Sequence, residues 1–310
     1  MAMEGEKAEQ IQSKLNQIQV TDDEAKNSEI FLAENLEKVE EIIGYKFKDR
    51  TLLEEALTDS SFSAKCASYE RLEYVGDSVL GLVISREQFF KYPELPPGVL
   101  TRLRAANVDK EKLARVALNH GLHNYLRHKK PLLEEQIRFF REEILGYPLH
   151  SNGLVDAPKV LCDIVESVIG AVFIDCGSSI DNVRKVFMPL LEPIITPQTL
   201  QVHPMTRLYE LCQKYGWQVI CKDRWKESGT YDIYVDGGLV GRGTYQLKKE
   251  IALYRAAKNA ADNIEKRIAG REGKYGLELS EEAQSRTTEL EADVATVCTS
   301  VVELPAGPGS

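Results

Sequence analysis

Two groups of acidic residues recur at helical spacing within segments that are otherwise apolar. Glu70, Glu73 and Asp77 are spaced i, i+3 and i+7, and Asp163 and Glu166 are spaced i and i+3. At such spacing, each group shares one face of a helix. Burying a carboxylate without a positive partner costs several kcal/mol, and neighbouring like charges add to that cost. We therefore expect Lys or Arg side chains, or a metal ion, among these acids.

The donor type indicates which metal would suit such a site. Carboxylate oxygens favour a hard cation such as Mg²⁺, which keeps several waters and accepts phosphate oxygens as further ligands. Two helices with carboxylates one turn apart could hold one or two such ions, and a pair of ions supports phosphodiester hydrolysis. The alternative interpretation is that these acids are solvated helix faces or ordinary salt-bridge partners. The spacing by itself leaves both interpretations open.

The apolar periodicity predicts that helices position these acids. Two long apolar helices are expected over 69–92 and 158–174, and the second is apolar on almost every face, so it must be buried. Further helical segments are expected over 36–57, with a break at GYKF and Asp49, and over 98–107, 109–118 and 178–191. Residues 129–157 show no regular pattern, which predicts an irregular region.

A proline-containing linker separates this helical part from a segment with a different pattern. There, a helix over 204–216 precedes three strands rich in Val, Ile, Tyr and Trp, and an alanine-rich helix over 248–267 follows. The expected strands cover 217–224, 230–236 and 239–246, with a hairpin turn at Asp236-Gly237-Gly238. The change of pattern predicts a domain boundary near 197–203.

The net charge of −9 is unevenly distributed along the chain. Residues 1–40 hold four basic and ten acidic residues, residues 271–310 hold three and eight, and residues 203–270 hold twelve and eight. The basic excess in 203–270 is modest support for nucleic-acid binding. The chain is thus predicted to comprise a flexible acidic arm (1–35), an all-α domain (36–196), a small α+β domain (203–268) and a disordered acidic tail (270–310).

Several classes of protein are not expected from this composition. No apolar run reaches about eighteen residues, so no membrane span is predicted. The polar N-terminus lacks the apolar core of a signal peptide. The six cysteines form no CxxC pair, and the chain has no N-x-S/T acceptor. An intracellular location, in the nucleus, the cytoplasm or both, is therefore predicted.

Four stretches of the chain resemble the ribonuclease III family. Residues 69–80, YERLEYVGDSVL, are similar to the family's signature ERLEFLGDSVL, and residues 158–171, PKVLCDIVESVIGA, are similar to its second motif, KVLADVVEALIGA. Residues 44–62 and 100–109 resemble the family's first and third helices, so the resemblance extends over 38–194. It implies an all-α catalytic domain that dimerises and cleaves double-stranded RNA with Mg²⁺, for which Mn²⁺ would substitute.

The resemblance also implies roles for single residues. The metal ligands would be Glu73, Asp77, Asp163 and Glu166, and among them Asp77 and Glu166 would be essential for catalysis. Glu70 would belong to an outer carboxylate shell, and Tyr74 would lie in the dimer contact, where the family usually has Phe. The match has three departures. Pro97-Gly98 stands where the family has an extra acidic residue, TDSS over 58–61 replaces its usual THRS, and residues 129–157 form an insertion.

The order α-β-β-β-α over residues 203–268, called here the C-terminal module, resembles a double-stranded RNA-binding domain. In that family the first helix and the start of the last helix contact RNA, which implies contacts from Glu210, Gln213, Lys248 and Lys249. The usual KKxAK motif is altered, since Glu250 follows Lys249, and the usual Pro-His loop is absent. Weak RNA binding and a structural or protein-binding role are both compatible with this pattern.

Together, these features predict an endoribonuclease that cleaves double-stranded RNA as a homodimer by a two-metal mechanism and leaves short 3′ overhangs. The alternative is a non-catalytic dimeric RNA-binding or scaffold protein that modulates another RNA-processing enzyme. Five acids on two helices favour the enzyme, because a scaffold has no need of them.

Overall fold

A computed structural model describes residues 32–272 of the chain. Most of the predicted arm, 1–35, and of the predicted tail, 270–310, lies outside the described residues. The exceptions are 32–35 and 270–272, which belong to helices. The helical region of the chain therefore extends slightly beyond both predicted boundaries.

The first part of the structure is all-helical, as predicted. Its helices are α1 (32–43), α2 (Arg50–Ala56), α3 (Glu70–Lys91), α4 (Pro97–Val108), α5 (Lys110–Asn119), α6 (Leu133–Glu143), α7 (Lys159–Asp175) and α8 (Ile180–Leu190). One continuous apolar core joins them. No helix within residues 32–272 is both long enough and apolar enough to cross a membrane.

Helix α7 is the centre of this core. Every residue from Val160 to Val172 is buried, which confirms the prediction of an all-round apolar helix. Helix α3 packs across α7 but buries only one face, which includes Leu72, Val79 and Val83. The acids on α3 therefore lie at the rim of the core, whereas those on α7 lie inside it.

The prediction of an irregular region over 129–157 was wrong in one respect, because α6 forms within it. Leu133, Ile137 and Phe140 are buried on one side of α6, at the i, i+4, i+7 spacing of an amphipathic helix. Charged residues occupy most of the other positions of α6, and they obscure this short apolar stripe in the sequence. The rest of the segment consists of turns and the 3-10 turn Ile144–Gly146.

The second part confirms the predicted α+β module. It comprises α9 (Pro204–Lys214), β1 (Val219–Arg224), the single-turn α10 (Trp225–Ser228), β2 (Thr230–Val235), β3 (Gly238–Thr244) and α11 (Lys249–Glu272). The strands form an antiparallel sheet in the order β1-β2-β3. Asp236 and Gly237 have positive φ at the β2–β3 hairpin, as the predicted turn requires. Alanines of α11 and apolar residues of the sheet form a separate small core.

Candidate active site

The two acidic motifs meet where α3 crosses α7. A Cβ atom added to Gly76 would lie 1.7 Å from the carbonyl oxygen of Glu166, and one added to Gly170 would lie 2.1 Å from that of Leu72. Glycine at both positions therefore lets the two backbones touch. Because Glu73 and Asp77 flank Gly76 on α3, this crossing brings them to the acids of α7.

Lys159, at the start of α7, joins the two motifs. Its Nζ donates to Glu73 Oε1 at 2.7 Å and to Asp163 Oδ1 at 2.8 Å. Burial lowers the pKa of Lys159, but hydrogen bonds from this ammonium to Asp163 and Glu73 outweigh burial and raise it above its usual range. Lys159 therefore supplies part of the positive charge that these buried carboxylates require.

Asp163 is buried and is also held from its other side. The hydroxyl of Tyr69, at the start of α3, lies 3.3 Å from Asp163 Oδ2 and 3.0 Å from Asp59 Oδ2. Burial raises the pKa of Asp163, and the charge of Glu73 adds to this effect. Asp59 differs from Asp163. Burial raises the pKa of Asp59, but hydrogen bonds from Lys130, at 2.5 Å, and from Ser61 outweigh burial and lower this pKa to about 2.

Glu166 is the least compensated acid of the group. Its exposed fraction is 7%, and no Lys, Arg or His within residues 32–272 forms an ion pair with it. Burial, followed by the charge of Asp77, raises the pKa of Glu166 to about 7. Asp77 itself is exposed at the rim of the site. The position of Glu166 thus favours a cation that the described part of the chain does not provide.

The sulfur of Cys162 lies next to these carboxylates. Ligand atoms of Cys162, Asp163 and Glu166 all lie within 4.8 Å of one another. Burial and the charge of Glu166 raise the pKa of this thiol, which keeps it protonated. The available donors at neutral pH are therefore carboxylate oxygens, which suit a hard divalent cation such as Mg²⁺. Among the predicted ligands, Asp163 and Glu166 fit such an ion by donor type and position, and Glu73 and Asp77 offer further carboxylates on the facing helix.

Two residues from the first motif lie outside this group. The carboxylate of Glu70 is exposed and accepts a hydrogen bond from Ser68. Tyr74 is 77% exposed and contributes to an outer face of α3. Neither side chain is hydrogen-bonded to the acids of α7, and the outer-shell role of Glu70 and the dimer contact of Tyr74 stay predictions.

Four residues that position the site were not predicted from the sequence: Lys159, Tyr69, Asp59 and Lys130. Lys159 could have been identified, because it stands four residues before Asp163 in an otherwise apolar helix. Tyr69 begins the signature motif, but its contacts with Asp59 and Asp163 depend on how α3 crosses α7. No local signal pairs Lys130 with Asp59, which are 71 positions apart by their numbers.

The residues predicted to contact RNA lie on the C-terminal module. Glu210 and Gln213 are exposed on α9, and Lys249 is exposed at the start of α11. Lys248 instead forms an ion pair with Asp156 of the helical part, at 2.5 Å between Nζ and Oδ1.

Comparisons with known proteins agree with this geometry. The sequence profile described as "Ribonuclease III domain" matches residues 70–177, which span both acidic motifs. Rice "Ribonuclease 3-like protein 3" is 54% identical over 234 residues, which cover 74% of this chain and 78% of that protein. Rice "Ribonuclease 3-like protein 2" is 42% identical over 241 residues, which cover 75% of this chain and 75% of that protein. "Endoribonuclease Dicer homolog 1" of Arabidopsis thaliana is 44% identical over 76% of this chain but only 13% of its own length. The chain therefore belongs to the ribonuclease III family and is a nuclease of the ribonuclease III type.

Proposed function

We propose that this nuclease is a Mg²⁺-dependent endoribonuclease that hydrolyses phosphodiester bonds of double-stranded RNA. It acts as a homodimer by a two-metal mechanism and leaves short 3′ overhangs, and Mn²⁺ substitutes for Mg²⁺. Its relatives include ribonuclease 3-like proteins and an endoribonuclease Dicer homolog, which supports this class of substrate. Residence in the nucleus or the cytoplasm stays a prediction.

The observation that carries the proposal is the charge balance at the α3–α7 crossing. Four carboxylates converge there, and among the described residues only Lys159 forms ion pairs with any of them. When bound, Mg²⁺ would activate the attacking water and stabilise the leaving oxygen. The carboxylates of Glu73, Asp77, Asp163 and Glu166 would hold the ions.

The surrounding side chains keep these carboxylates in place. The Tyr69 hydroxyl and the Lys159 ammonium each contact Asp163, so its carboxylate is oriented before any ligand binds. The Lys159 side chain is 67% exposed, so its ammonium can also reach a phosphate at the mouth of the site. Asp77 is the only one of these four acids that is exposed.

The homodimer is supported by the outer face of α3. Tyr74, Leu82 and Phe89 are 77%, 53% and 67% exposed, and their spacing places them along one side of the helix. An exposed apolar stripe of this kind is typical of a protein–protein contact. A two-fold dimer through this face would bring two acidic sites to one duplex, so that each site cuts one strand.

Cleavage of a labelled RNA duplex tests the proposal directly. Product should form with Mg²⁺, and an excess of EDTA should stop the reaction. Glu166→Gln and Asp77→Asn should each abolish cleavage while leaving the circular dichroism spectrum unchanged, because each removes a ligand charge without adding bulk. Glu94→Gln, at an exposed acid outside the site, is the matched control and should cleave at the wild-type rate.

The alternative function is a non-catalytic scaffold. It predicts duplex binding without product in Mg²⁺ or Mn²⁺, and no effect of Glu166→Gln on any measured property except stability. Near wild-type turnover of either ligand variant at saturating Mg²⁺ would instead refute the assignment of these acids to the catalytic site.

A further inference from the structure

A surface on the helical part holds the C-terminal module. This surface, called here the docking surface, consists of Glu143, Leu154 and Asp156, which lie between the end of α6 and the start of α7. Asp156 pairs with Lys248 at 2.5 Å. Arg255 of α11 donates to Glu143 Oε1 at 2.7 Å and to the carbonyl oxygen of Leu154 at 3.0 Å.

Apolar and aromatic groups surround these polar contacts. A Cβ atom on Gly153 would come within 2.8 Å of the Tyr254 ring, so the loop passes directly against α11. The guanidinium of Arg255 also lies 4.6 Å from the centre of the Tyr245 ring. Arg255 is therefore fixed by a carboxylate, a carbonyl and an aromatic face at once.

The docked side of the module includes the part predicted to bind RNA phosphates. Lys248 and Lys249 stand together at the start of α11, but they have different surroundings. Both side chains are exposed, but the ammonium of Lys248 contacts the carboxylate of Asp156, which Lys110 also approaches at 3.8 Å. A cation in contact with a carboxylate cannot release counterions from a phosphate at the same time. The docked module therefore has a lower electrostatic affinity for RNA than the released module.

The docking surface also adjoins the acidic site. A groove of about 850 Å³ lies between the two parts of the molecule, and its walls include Phe139, Asp156, Lys159, Leu247 and Lys248. Lys159 is the residue that bridges Glu73 and Asp163. The docked module therefore lies next to Lys159, at the edge of the acidic site.

We propose that the docking surface competes with duplex RNA for Lys248, so that RNA binding by the C-terminal module requires its release from Glu143, Leu154 and Asp156. This inference rests on the proposed function in taking duplex RNA as the competitor. The ion pairs involved are partly exposed, so each is weak enough to exchange for a phosphate contact.

The test is duplex binding by the full chain in EDTA, where no cleavage occurs. Glu143→Gln combined with Asp156→Asn removes both docking charges. The matched control is Glu134→Gln combined with Glu142→Gln, two exposed acids of α6 that form no ion pair among residues 32–272 and change the net charge equally. Fluorescence anisotropy with a labelled RNA duplex should show the docking variant binding about 3- to 10-fold more tightly than the control variant, which corresponds to about 0.7–1.4 kcal/mol.

Equal affinities of the two variants would overturn the inference, whether or not the wild-type protein cleaves RNA. Conversely, tighter binding by the docking variant without cleavage in Mg²⁺ would support docking and refute the proposed function.

Small-angle scattering gives a second readout that does not involve RNA. Asp156→Lys should expand the molecule by repelling Lys248, and adding Lys248→Asp should restore its dimensions. Unchanged dimensions in Asp156→Lys would also overturn the inference.

Discussion

Lys159 acts as a cation for two acids that are also predicted metal ligands. Replacing it with Met leaves Glu73 and Asp163 without their positive partner. We expect Lys159→Met to lower the stability of the metal-free protein by about 1–2 kcal/mol, less than is typical of a buried pair because Lys159 is largely exposed. Added Mg²⁺ should then raise the melting temperature more for the variant than for the wild type, since binding stabilises the folded state by mass action.

Lys185→Met is the control for this substitution. Lys185 is exposed on α8 and forms no ion pair within the described residues. Thermal melting of all three proteins in EDTA and in Mg²⁺ separates the two effects. An identical Mg²⁺-induced shift in Lys159→Met and the wild type would show that Lys159 and the metal do not share these ligands.

At the scale of the elements, the crossing of α3 and α7 depends on two glycines. Gly76→Ala would place a methyl group within 1.7 Å of the carbonyl oxygen of Glu166, so the helices must separate. We expect a destabilisation of about 1–3 kcal/mol or more, as for other overpacked sites. Cleavage should fall in parallel, because Glu73 and Asp77 move away from the acids of α7.

Gly81→Ala provides the comparison within the same helix. Nothing lies within 4 Å of a Cβ atom added at Gly81, so this change should stabilise α3 by about 0.5–1 kcal/mol through helix propensity. Denaturant unfolding measures both effects. A Gly76→Ala protein as stable as Gly81→Ala would show that the close crossing is not required.

At the scale of the whole molecule, the proposed dimer depends on the outer face of α3. A charged residue at position 74 should separate the subunits, because an unpaired charge buried in an interface costs several kcal/mol. Light scattering of Tyr74→Asp should therefore report a monomer where the wild type is a dimer. Tyr209→Asp, at a half-exposed tyrosine of the C-terminal module, should stay dimeric. A wild-type monomer that still cleaves duplex RNA at micromolar concentration would contradict the proposed assembly.

The C-terminal module should assist substrate binding more than catalysis. Ending the chain at Leu200 removes the exposed Lys249 along with Lys248, but leaves the acidic motifs in place. We expect the apparent KM for duplex RNA to rise more than kcat falls, because the module holds none of the predicted metal ligands. Steady-state cleavage at physiological salt measures this. An unchanged KM would indicate that the module serves protein–protein contacts instead.

The sequence by itself was sufficient for the elements whose local periodicity is strong. Helical spacing placed Glu73 with Asp77 and Asp163 with Glu166, and the apolar pattern identified α3 and the buried α7. The change from a helical to an alternating pattern located the α-β-β-β-α module. Helix α6 was not predicted, because its three buried residues are outnumbered by charged neighbours.

Only the tertiary structure decided which distant side chains meet. Lys159 reaches Glu73 across 86 positions, and Lys248 reaches Asp156 across 92. Such contacts depend on the angle and distance at which whole elements pack, and no single residue encodes these quantities. The pKa of Glu166, raised to about 7, has the same origin, because burial and the charge of Asp77 arise only when α3 lies on α7. A lysine that the sequence predicted as an RNA contact thus proved to be engaged within the molecule, since two parts of one chain can offer each other opposite charges at close range.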